Sequence, residues 1–279
     1  MRLVTASKVP SILGIAPEGW DTPWSMWHVM KGLISGDTRN MEGKSRGHYL
    51  ENAIIDWWLD QHEDTEGARQ VWHPVEDWAG ATSDWSGYVG DERVVLNAKS
   101  SGDLADWWTR DGDDVTLHPP AYYLASLLWE MWCANAKAGY VALLGPRLKF
   151  QEWRVERDDS LIEDLVARCR EFYDSLASDV PPDLDDTPAT YEAVRRLHPD
   201  IDDDLVVELD GRVAVEFVAA VEAADAAERR KRAATARVLD AMGRARVAEV
   251  YRVQVARRQP GRYGASFVPV VRSLSALEV

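Results

Sequence analysis

The alternation of apolar and polar positions along the chain predicts the mixture of helices and strands that is typical of an α/β protein. Apolar residues recur three or four positions apart in segments that begin near Thr, Asp or Pro and end near Gly. These segments predict helices over residues 5–14, 22–33, 47–62, 121–138 and 158–177, with a loop over 34–45. Apolar or alternating runs predict strands over residues 71–78, 86–99, 140–144 and 149–155, the second folded as a hairpin around 90–91.

The chain changes in composition after two adjacent prolines, Pro181 and Pro182. The residues before them, 1–180, are predicted to form an α/β core. Residues 181–204 are acidic and contain further prolines, so they are predicted to form a linker. The remaining residues, 205–279, are predicted to form a carboxy-terminal appendage.

The appendage is dominated by a run rich in Ala, Glu and Arg, which predicts a long helix over residues 213–242. Two short β-like runs follow, over residues 247–255 and 265–271. The long helix carries a basic cluster at residues 229–232. This cluster either pairs with acidic residues one turn earlier on the same helix, which is the favoured interpretation, or contacts a phosphate or a partner.

The composition describes a globular protein with an acidic surface. The chain has 279 residues, of which 46% are hydrophobic and 28% charged, enough to bury a substantial core. Its net charge of −15 argues against a protein wrapped in nucleic acid, although a basic groove can form locally. No apolar run approaches the ~20 residues of a membrane span, and the two cysteines do not make a disulfide framework. With no apolar signal core near its start, the chain is expected to be cytoplasmic and to have no membrane association.

The candidate chemistry lies in a segment that runs from Asp84, through Gly-bearing residues, to the run Leu96-Asn97-Ala98-Lys99. Cleavage of a phosphodiester requires a metal ion held by oxygen ligands, and a nearby Lys can supply positive charge. Because a strand directs alternate side chains to one face, Asn97 and Lys99 are expected on the same side, next to Asp84 across a turn. Glu51, on the third predicted helix, can add a further carboxylate. Taken singly, Asp84 is an ordinary turn residue and Lys99 a solvated strand end, so only their order together favours a catalytic site.

Five motifs in this order resemble those of the YqaJ-type, lambda-exonuclease-like phage recombination nucleases of the PD-(D/E)XK superfamily. The resemblance extends over about residues 5–180. Its motifs are Thr5-Ala6-Ser7-Lys8-Val9, Arg46-Gly47-His48-Tyr49-Leu50-Glu51, Thr82-Ser83-Asp84, Leu96-Asn97-Ala98-Lys99 and the helix from Tyr122 to Trp132. No single motif is decisive, but five in register are fairly specific.

The resemblance implies a restriction-endonuclease-like fold, with a mixed, mostly antiparallel central sheet flanked by helices and a helical carboxy-terminal region. It implies an Mg²⁺-dependent exonuclease, with Mn²⁺ as a substitute, that digests double-stranded DNA from 5′ ends. It also implies a single-strand-annealing recombinase as partner, a ring-shaped homo-oligomer, and the cytoplasm of the host cell as location if the protein is phage-encoded.

The resemblance also implies roles for individual residues. Asp84 and Glu51 are the expected metal ligands, and Lys99 is the expected catalytic lysine. Ser7 and Arg46 are the expected contacts to DNA phosphates. Asn97 stands where the family has a metal-binding Glu, so it is expected to be a neutral ligand or a vestige.

The substitution at Asn97 leaves three hypotheses open, in this order of preference. The site works with Asp84 and Glu51 as its only acids, or a carboxylate has moved to another position. Glu130 is the candidate for such a moved carboxylate, because it lies one helical turn after Ser126, where the family has a Gln. The third hypothesis is a nuclease fold that has weakened or lost catalysis and binds DNA or a recombination partner.

Overall fold

A five-stranded mixed sheet with helices on both faces organises the first of the two units into which the chain divides. The computed structural model describes residues 3–36, 41–111, 114–261 and 264–270, and it separates into units Met1–Ile201 and Asp202–Val279. The α-helices of the described residues are α1 (Val9–Ile12), α2 (Pro23–Lys31), α3 (Met41–Gln61), α4 (Ala121–Ala134), α5 (Asp159–Ser178), α6 (Pro188–Leu197) and α7 (Gly211–Met242). The strands are β1 (Thr65–Glu76), β2 (Ala79–Val89), β3 (Glu92–Ser100), β4 (Trp108–Asp111), β5 (Asp114–Leu117), β6 (Ala138–Leu144), β7 (Phe150–Glu156), β8 (Val247–Val250), β9 (Val253–Gly261) and β10 (Gly264–Pro269).

The central sheet has the strand order β1-β2-β3-β6-β7. Strands β3 and β6 are parallel neighbours, whereas the other neighbouring pairs are antiparallel. A parallel pair requires a crossover connection, and α4 is the helix in that connection. In the middle of β3, Val94, Val95 and Leu96 are 0% exposed, because helices cover both faces of the sheet. The predicted mixed, mostly antiparallel sheet flanked by helices is therefore confirmed.

The two faces of the sheet are covered by different helices, and each helix has apolar residues at helical spacing on the side that faces the sheet. On one face, Ile54, Ile55 and Trp58 of α3 pack with Trp85 and Leu96 of the sheet. On the other face, α4 and α5 contribute the larger cluster, whose members include Leu127, Trp129, Met131, Ile162, Val95 and Val141. Burial of these large side chains, each worth about 1.5–3 kcal/mol, holds the helices on the sheet.

Most predicted elements are present, with shifted ends. Helix α3 begins at Met41, so residues 41–45 are helical where a loop was predicted. Asp84 was predicted to lie in a turn, but it lies inside the long strand β2. The turn prediction failed because Ser83 and Trp85 are buried on a strand paired on both sides, a long-range pairing that local composition does not reveal.

Two elements were not predicted at all. The hairpin β4–β5 precedes α4, and helix α6 occupies part of the acidic segment that was predicted to be a linker. Helix α6 is capped at its amino terminus by Thr187, whose side chain accepts a hydrogen bond from the backbone N–H of Thr190. It buries Ala193 in a small cluster with Trp24 and Val29 of α2. The sequence pattern did not predict α6, because its few apolar positions are surrounded by acidic residues.

The second unit consists of α7 and an antiparallel three-stranded sheet in the order β10-β9-β8. Its helix matches the predicted long helix, but the β-like run predicted over 247–255 is divided between β8 and β9, and β10 covers most of the second run. The sequence also has basic residues near its carboxy terminus, and one of them, Arg262, lies outside the described residues.

A search of the described helices for one both long and apolar enough to cross a lipid bilayer finds no candidate.

Candidate functional site

The site forms where strands β2 and β3 stop pairing with each other. Their ladder ends at the pair Trp85–Leu96, and Asp84 and Asn97 are the next residues along each strand. Beyond that point the backbone N–H of Ala98 donates a hydrogen bond to Asp84 Oδ2 at 2.7 Å. The carboxylate of Asp84 thus takes the place of a missing backbone partner, and this contact fixes its orientation at the open end of the ladder.

Lys99 lies next to this carboxylate. Its Nζ atom is 3.8 Å from Asp84 Oδ2, and it donates a hydrogen bond to the carbonyl oxygen of Ala98 at 3.2 Å. The same ammonium group is 5.4 Å from the centre of the Tyr123 ring, on α4. The predicted neighbourhood of Asp84 and Lys99 is therefore present, and Tyr123 is a member that the sequence did not indicate.

Asn97 and Glu130 form a buried pair between β3 and α4. Asn97 is 3% exposed, Glu130 is 4% exposed, and Asn97 Nδ2 donates a hydrogen bond to Glu130 Oε1 at 2.8 Å. The other oxygen of each side chain, Asn97 Oδ1 and Glu130 Oε2, is buried and has no hydrogen-bond partner in the described part of the chain. Unpartnered buried oxygens cost free energy, so an oxygen of this kind on each of two contacting side chains favours a site that a bound group completes.

The electrostatics of Glu130 agree with this inference. Burial raises the pKa of the Glu130 carboxyl well above its ordinary value, and the nearby charge of Asp84 raises it further. The charge of Lys99 and the polar side chains of Asn97 and Ser83 lower the pKa of Glu130. A carboxyl in this environment carries a proton unless a cation balances its charge.

Glu51 approaches the site from the opposite helical layer, on α3. It accepts a hydrogen bond from Gln70 Nε2, and His48 Nδ1 lies 3.4 Å from its Oε2 atom. Burial is the main cause that raises the pKa of Glu51, and the charge of Asp84 adds to it, whereas His48 and Lys99 lower it. The charge of Asp84 therefore acts on both Glu51 and Glu130, which places Asp84 between the two helical layers.

These acids do not form a complete metal site by themselves. Among residues 3–36, 41–111, 114–261 and 264–270, no three His, Cys, Asp or Glu side chains converge closely enough to hold a metal ion. Asn97 contacts the carboxylate of Glu130 through its amide nitrogen, and its own oxygen has no partner in the described residues.

The two predicted phosphate contacts lie at the margin of this group. Ser7 is exposed, in the short helical turn Ala6–Lys8, and its hydroxyl lies 3.4 Å from that of Thr5. The carbonyl oxygen of Ala6 accepts a hydrogen bond at 3.1 Å from Ser126, on the turn of α4 that precedes Glu130. Ser126, where the family has a Gln, thus anchors the amino-terminal segment to α4.

Arg46 lies on α3 and lines a groove next to Lys99. The other walls of the groove include Leu50, Ser100 at the end of β3, residues 101–102 and residues 145–148 after β6. Parallel pairing of Ser100 with Leu144 brings the two loops together. The groove therefore carries two guanidinium groups, those of Arg46 and Arg147, and the hydroxyls of Ser100 and Ser101.

Arg147, which follows Pro146, was not among the site residues predicted from the sequence. Arg147 and Leu148 both have φ of 59°, a left-handed conformation that is costly for residues other than glycine. Leu148 is 78% exposed at the rim of the groove. Strained backbone of this kind is concentrated at ligand-binding and catalytic sites.

Comparisons with known proteins find similarities among solved structures. No protein-family model matches the chain, and no curated protein matches it. An alkaline exonuclease from Laribacter hongkongensis matches at 18% identity, covering 63% of this chain and 89% of that one, with a TM-score of 0.45. A phage-related exonuclease from Haemophilus somnus matches at 13% identity, covering 64% of this chain and 96% of that one, with a TM-score of 0.43. Both are similarities of architecture, and the roles of the site residues rest on their own contacts.

Proposed function

We propose that this chain is a metal-dependent deoxyribonuclease that digests double-stranded DNA from 5′ ends. The observation that carries the proposal is the buried pair of Asn97 and Glu130, with two unpartnered oxygens, beside Asp84 and Lys99. The 5′ polarity comes from the family resemblance of the sequence motifs, which also supports a single-strand-annealing recombinase as the partner.

The donor set fits a hard divalent cation. Mg²⁺ and Mn²⁺ prefer carboxylate and amide oxygens, and the proposed ligands are Asp84, Asn97 and Glu130. Glu130 supplies the negative charge that Asn97 lacks, which favours the hypothesis that a carboxylate has moved to α4. Glu51, held by Gln70 and His48, is placed to bind a second cation or to accept a proton near Asp84.

Each protein group has a defined task in phosphodiester cleavage. The cation, when bound, would polarise the scissile phosphate and lower the pKa of a bound water. Lys99 would stabilise the negative charge that develops on the phosphate, because its ammonium group stands 3.8 Å from Asp84 at the edge of the site. The backbone N–H of Ala98 keeps the Asp84 carboxylate in place while the charge on the substrate changes.

The groove beside Lys99 is the proposed path for the DNA backbone. Its two arginines and two serines can bind phosphate oxygens, and it opens next to the reacting centre. Because the chain as a whole has a net charge of −15, contact with DNA must be confined to such a local surface. Ser7, exposed on the segment anchored to α4, is the proposed second contact.

The test is digestion of linear duplex DNA labelled at the 5′ or 3′ end, with Mg²⁺, with Mn²⁺ and with a chelator. Metal-dependent release of nucleotides that begins at the 5′ end is expected. Lys99→Ala and Asp84→Ala should each lower the rate at least about 100-fold, whereas Lys137→Ala, an exposed lysine outside the site, should leave it unchanged. Loss of DNA that is independent of metal, or equal in all variants, would contradict the proposal.

The alternative is a nuclease fold that binds DNA without cutting it. The neutral Asn97 and the lack of three converging acids in the described residues favour it. In that case the chain retains duplex DNA in a mobility-shift assay, but no divalent cation produces digestion and none binds in calorimetry.

A further inference from the structure

Three aromatic side chains form a continuous series that leads outward from Lys99. The Tyr123 ring, whose centre is 5.4 Å from Lys99 Nζ, lies 4.5 Å from the Tyr122 ring, centre to centre. The Tyr122 ring in turn lies 5.7 Å from the ring of Trp20, in the loop before α2. Trp20 is 40% exposed. The series therefore connects the edge of the candidate site to an aromatic ring that is open to solvent.

The inner rings of this series are held in place by their neighbours. The Tyr123 ring lies 5.5 Å, centre to centre, from that of Trp107, which is 2% exposed. The Tyr122 hydroxyl donates a hydrogen bond to Asp106 Oδ2 at 3.4 Å. The two tyrosines thus give Trp20 a fixed support on the side that faces Lys99.

The local sequence also fixes Trp20 itself. Its backbone N–H donates a hydrogen bond to the carbonyl oxygen of Pro17 at 3.1 Å, and Gly19 has φ of 89°. A positive φ at the third position of such a turn is what a type II turn requires. Two residues after Trp20, the side chain of Thr22 caps α2 by accepting a hydrogen bond from the N–H of Ser25. A ring held between a turn and a capped helix loses little conformational freedom on binding a ligand.

A cleft of about 370 Å³ lies beside Trp20. The apolar rings of Pro17 and Pro23 line it together with Trp20. The charged residues that line the cleft, within the described part of the chain, are all acids: Glu18, Asp21, Asp183 and Asp185. Acids repel a phosphate, but they accept hydrogen bonds from the N–H groups at the edge of a nucleobase. The cleft therefore fits the base of a nucleotide better than its phosphate.

We propose that Trp20 stacks on an unpaired base of the DNA strand whose phosphate lies at Lys99, with the edge of that base in the cleft. The inference rests on the proposed function and adds a base-binding position to it. An aromatic ring binds bases of any sequence, because every base has a flat π-face. A terminal base pair must open before its base can reach the ring, so this position favours strand ends that are frayed, mismatched or unpaired.

The first test measures binding of a fluorescent single strand of mixed sequence, about 12 nucleotides long, by anisotropy in the presence of a chelator. Trp20→Ala should weaken binding at least about fivefold, whereas Trp20→Phe, which keeps a ring, should stay within about threefold of the wild type. Tyr88→Ala is the matched control, because Tyr88 is 43% exposed near the closed end of the β2–β3 hairpin and should leave binding unchanged. Circular dichroism confirms that the variants are folded.

The salt dependence of binding distinguishes a stacked base from a phosphate contact. Loss of a stacking ring should weaken binding equally at low and moderate salt, because no counterion is released at that contact. The slope of log affinity against log salt should therefore be the same for Trp20→Ala and the wild type. A slope that becomes smaller in Trp20→Ala would show that Trp20 acts through phosphate contacts, and it would overturn the proposal.

The second test identifies the base that is bound. An abasic nucleotide replaces each nucleotide near the 5′ end of the single strand in turn. At one position, removal of the base should weaken binding to the wild type as much as Trp20→Ala does. The same removal should weaken binding to Trp20→Ala no further, because both partners of one contact are then missing. Losses that add at every position would overturn the proposal, as would a wild type that does not bind the single strand.

These outcomes are distinguishable from those that test the nuclease activity. If the chain binds the single strand through Trp20 but digests no DNA with Mg²⁺ or Mn²⁺, the base-binding position stands and the proposed activity is wrong. If the chain digests duplex DNA while Trp20→Ala binds the single strand as the wild type does, the base-binding position alone is wrong.

Discussion

Among single residues, Glu130 most strongly constrains what the site can do. Its carboxyl is buried, its pKa is raised first by burial and then by Asp84, and one of its oxygens is unpartnered in the described residues. A carboxyl whose pKa is higher in the folded than in the unfolded chain stabilises the fold fully only below its unfolded pKa, about 4.3. That stabilisation is lost as the pH rises through the folded pKa, unless a cation binds.

The first prediction concerns stability. In the presence of a chelator, Glu130→Gln should raise the free energy of unfolding at pH 8 by about 1–3 kcal/mol, because the wild-type carboxyl must take up a proton or bury a charge on folding, whereas an amide does neither. The gain should shrink toward pH 5, because the carboxyl of the unfolded chain also becomes protonated as the pH approaches its pKa of about 4.3. Urea unfolding at both pH values measures the difference, and Glu163→Gln, exposed on α5, is the matched control that should show none. A variant less stable than the wild type at pH 8 would show that Glu130 is satisfied without a cation.

The second prediction exchanges the amide and the acid. Glu130→Gln alone should reduce metal-dependent digestion at least about 100-fold, since it removes a charged ligand. Combining it with Asn97→Glu restores one carboxylate and one amide to the same pair, so the double variant should regain activity to within about tenfold of the wild type.

The single variant Asn97→Glu distinguishes the loss of a metal ligand from a general disruption of the site. It places two carboxyls in contact, so without metal it should destabilise the fold, while with metal it should bind the cation more tightly. If the double variant is as inactive as Glu130→Gln alone, Glu130 is not the exchanged ligand.

At the scale of elements, the position of β2 decides the geometry of the site. Gly67 of β1 and Gly87 of β2 are paired directly opposite each other. A Cβ atom on Gly87 would lie closer than contact distance to the carbonyl oxygen of Glu66 and to the backbone of Gly67. Because neither Gly67 nor Gly87 has a side chain, β1 can approach β2 closely at this pair, three residues from Asp84.

The third prediction follows from this close approach. Gly87→Ala should lower the free energy of unfolding by about 2 kcal/mol or more, because the strands must separate to admit a methyl group. Gly102→Ala is the matched control, since nothing lies within 4 Å of its added Cβ. Denaturant unfolding compares the two variants, and equal stability would show that β1 and β2 can move apart freely.

At the scale of the whole molecule, the cationic groove is proposed to bind DNA although the chain as a whole is acidic. The net charge of −15 repels DNA at long range, so binding depends on the few guanidinium groups that face the substrate. Arg46 and Arg147 come from a helix and a loop about 100 residues apart in the chain, and they meet because β3 and β6 pair in parallel.

The fourth prediction tests this groove. Arg147→Ala should weaken binding of linear duplex DNA about three- to tenfold at moderate salt and reduce the slope of log affinity against log salt by about one. Arg195→Ala, whose guanidinium is ion-paired with Glu192 on the surface of α6, should change neither quantity. Fluorescence anisotropy with the catalytically blocked Lys99→Ala background measures binding without digestion. An unchanged slope would show that Arg147 does not contact DNA phosphates.

Several features of the protein could be predicted from local patterns alone. The helical stripe around Ile54 and Trp58 and the apolar run Val94–Leu96 indicate their elements, because the spacing of apolar residues follows the backbone period. The order of Asp84, Asn97 and Lys99 along the chain likewise placed them near one another, since neighbouring strands of a hairpin share an end.

The sequence by itself thus determined the elements and the residues that can meet within one hairpin. Only the tertiary structure decided that Glu130, 33 residues from Asn97, accepts a hydrogen bond from it in a buried pair. The same is true of Arg147, which lines the groove beside Lys99. The physical reason is that helix α4 could in principle lie at several positions over the sheet. The burial of its apolar side chains against β3 and β6 selects the position that brings Glu130 to Asn97.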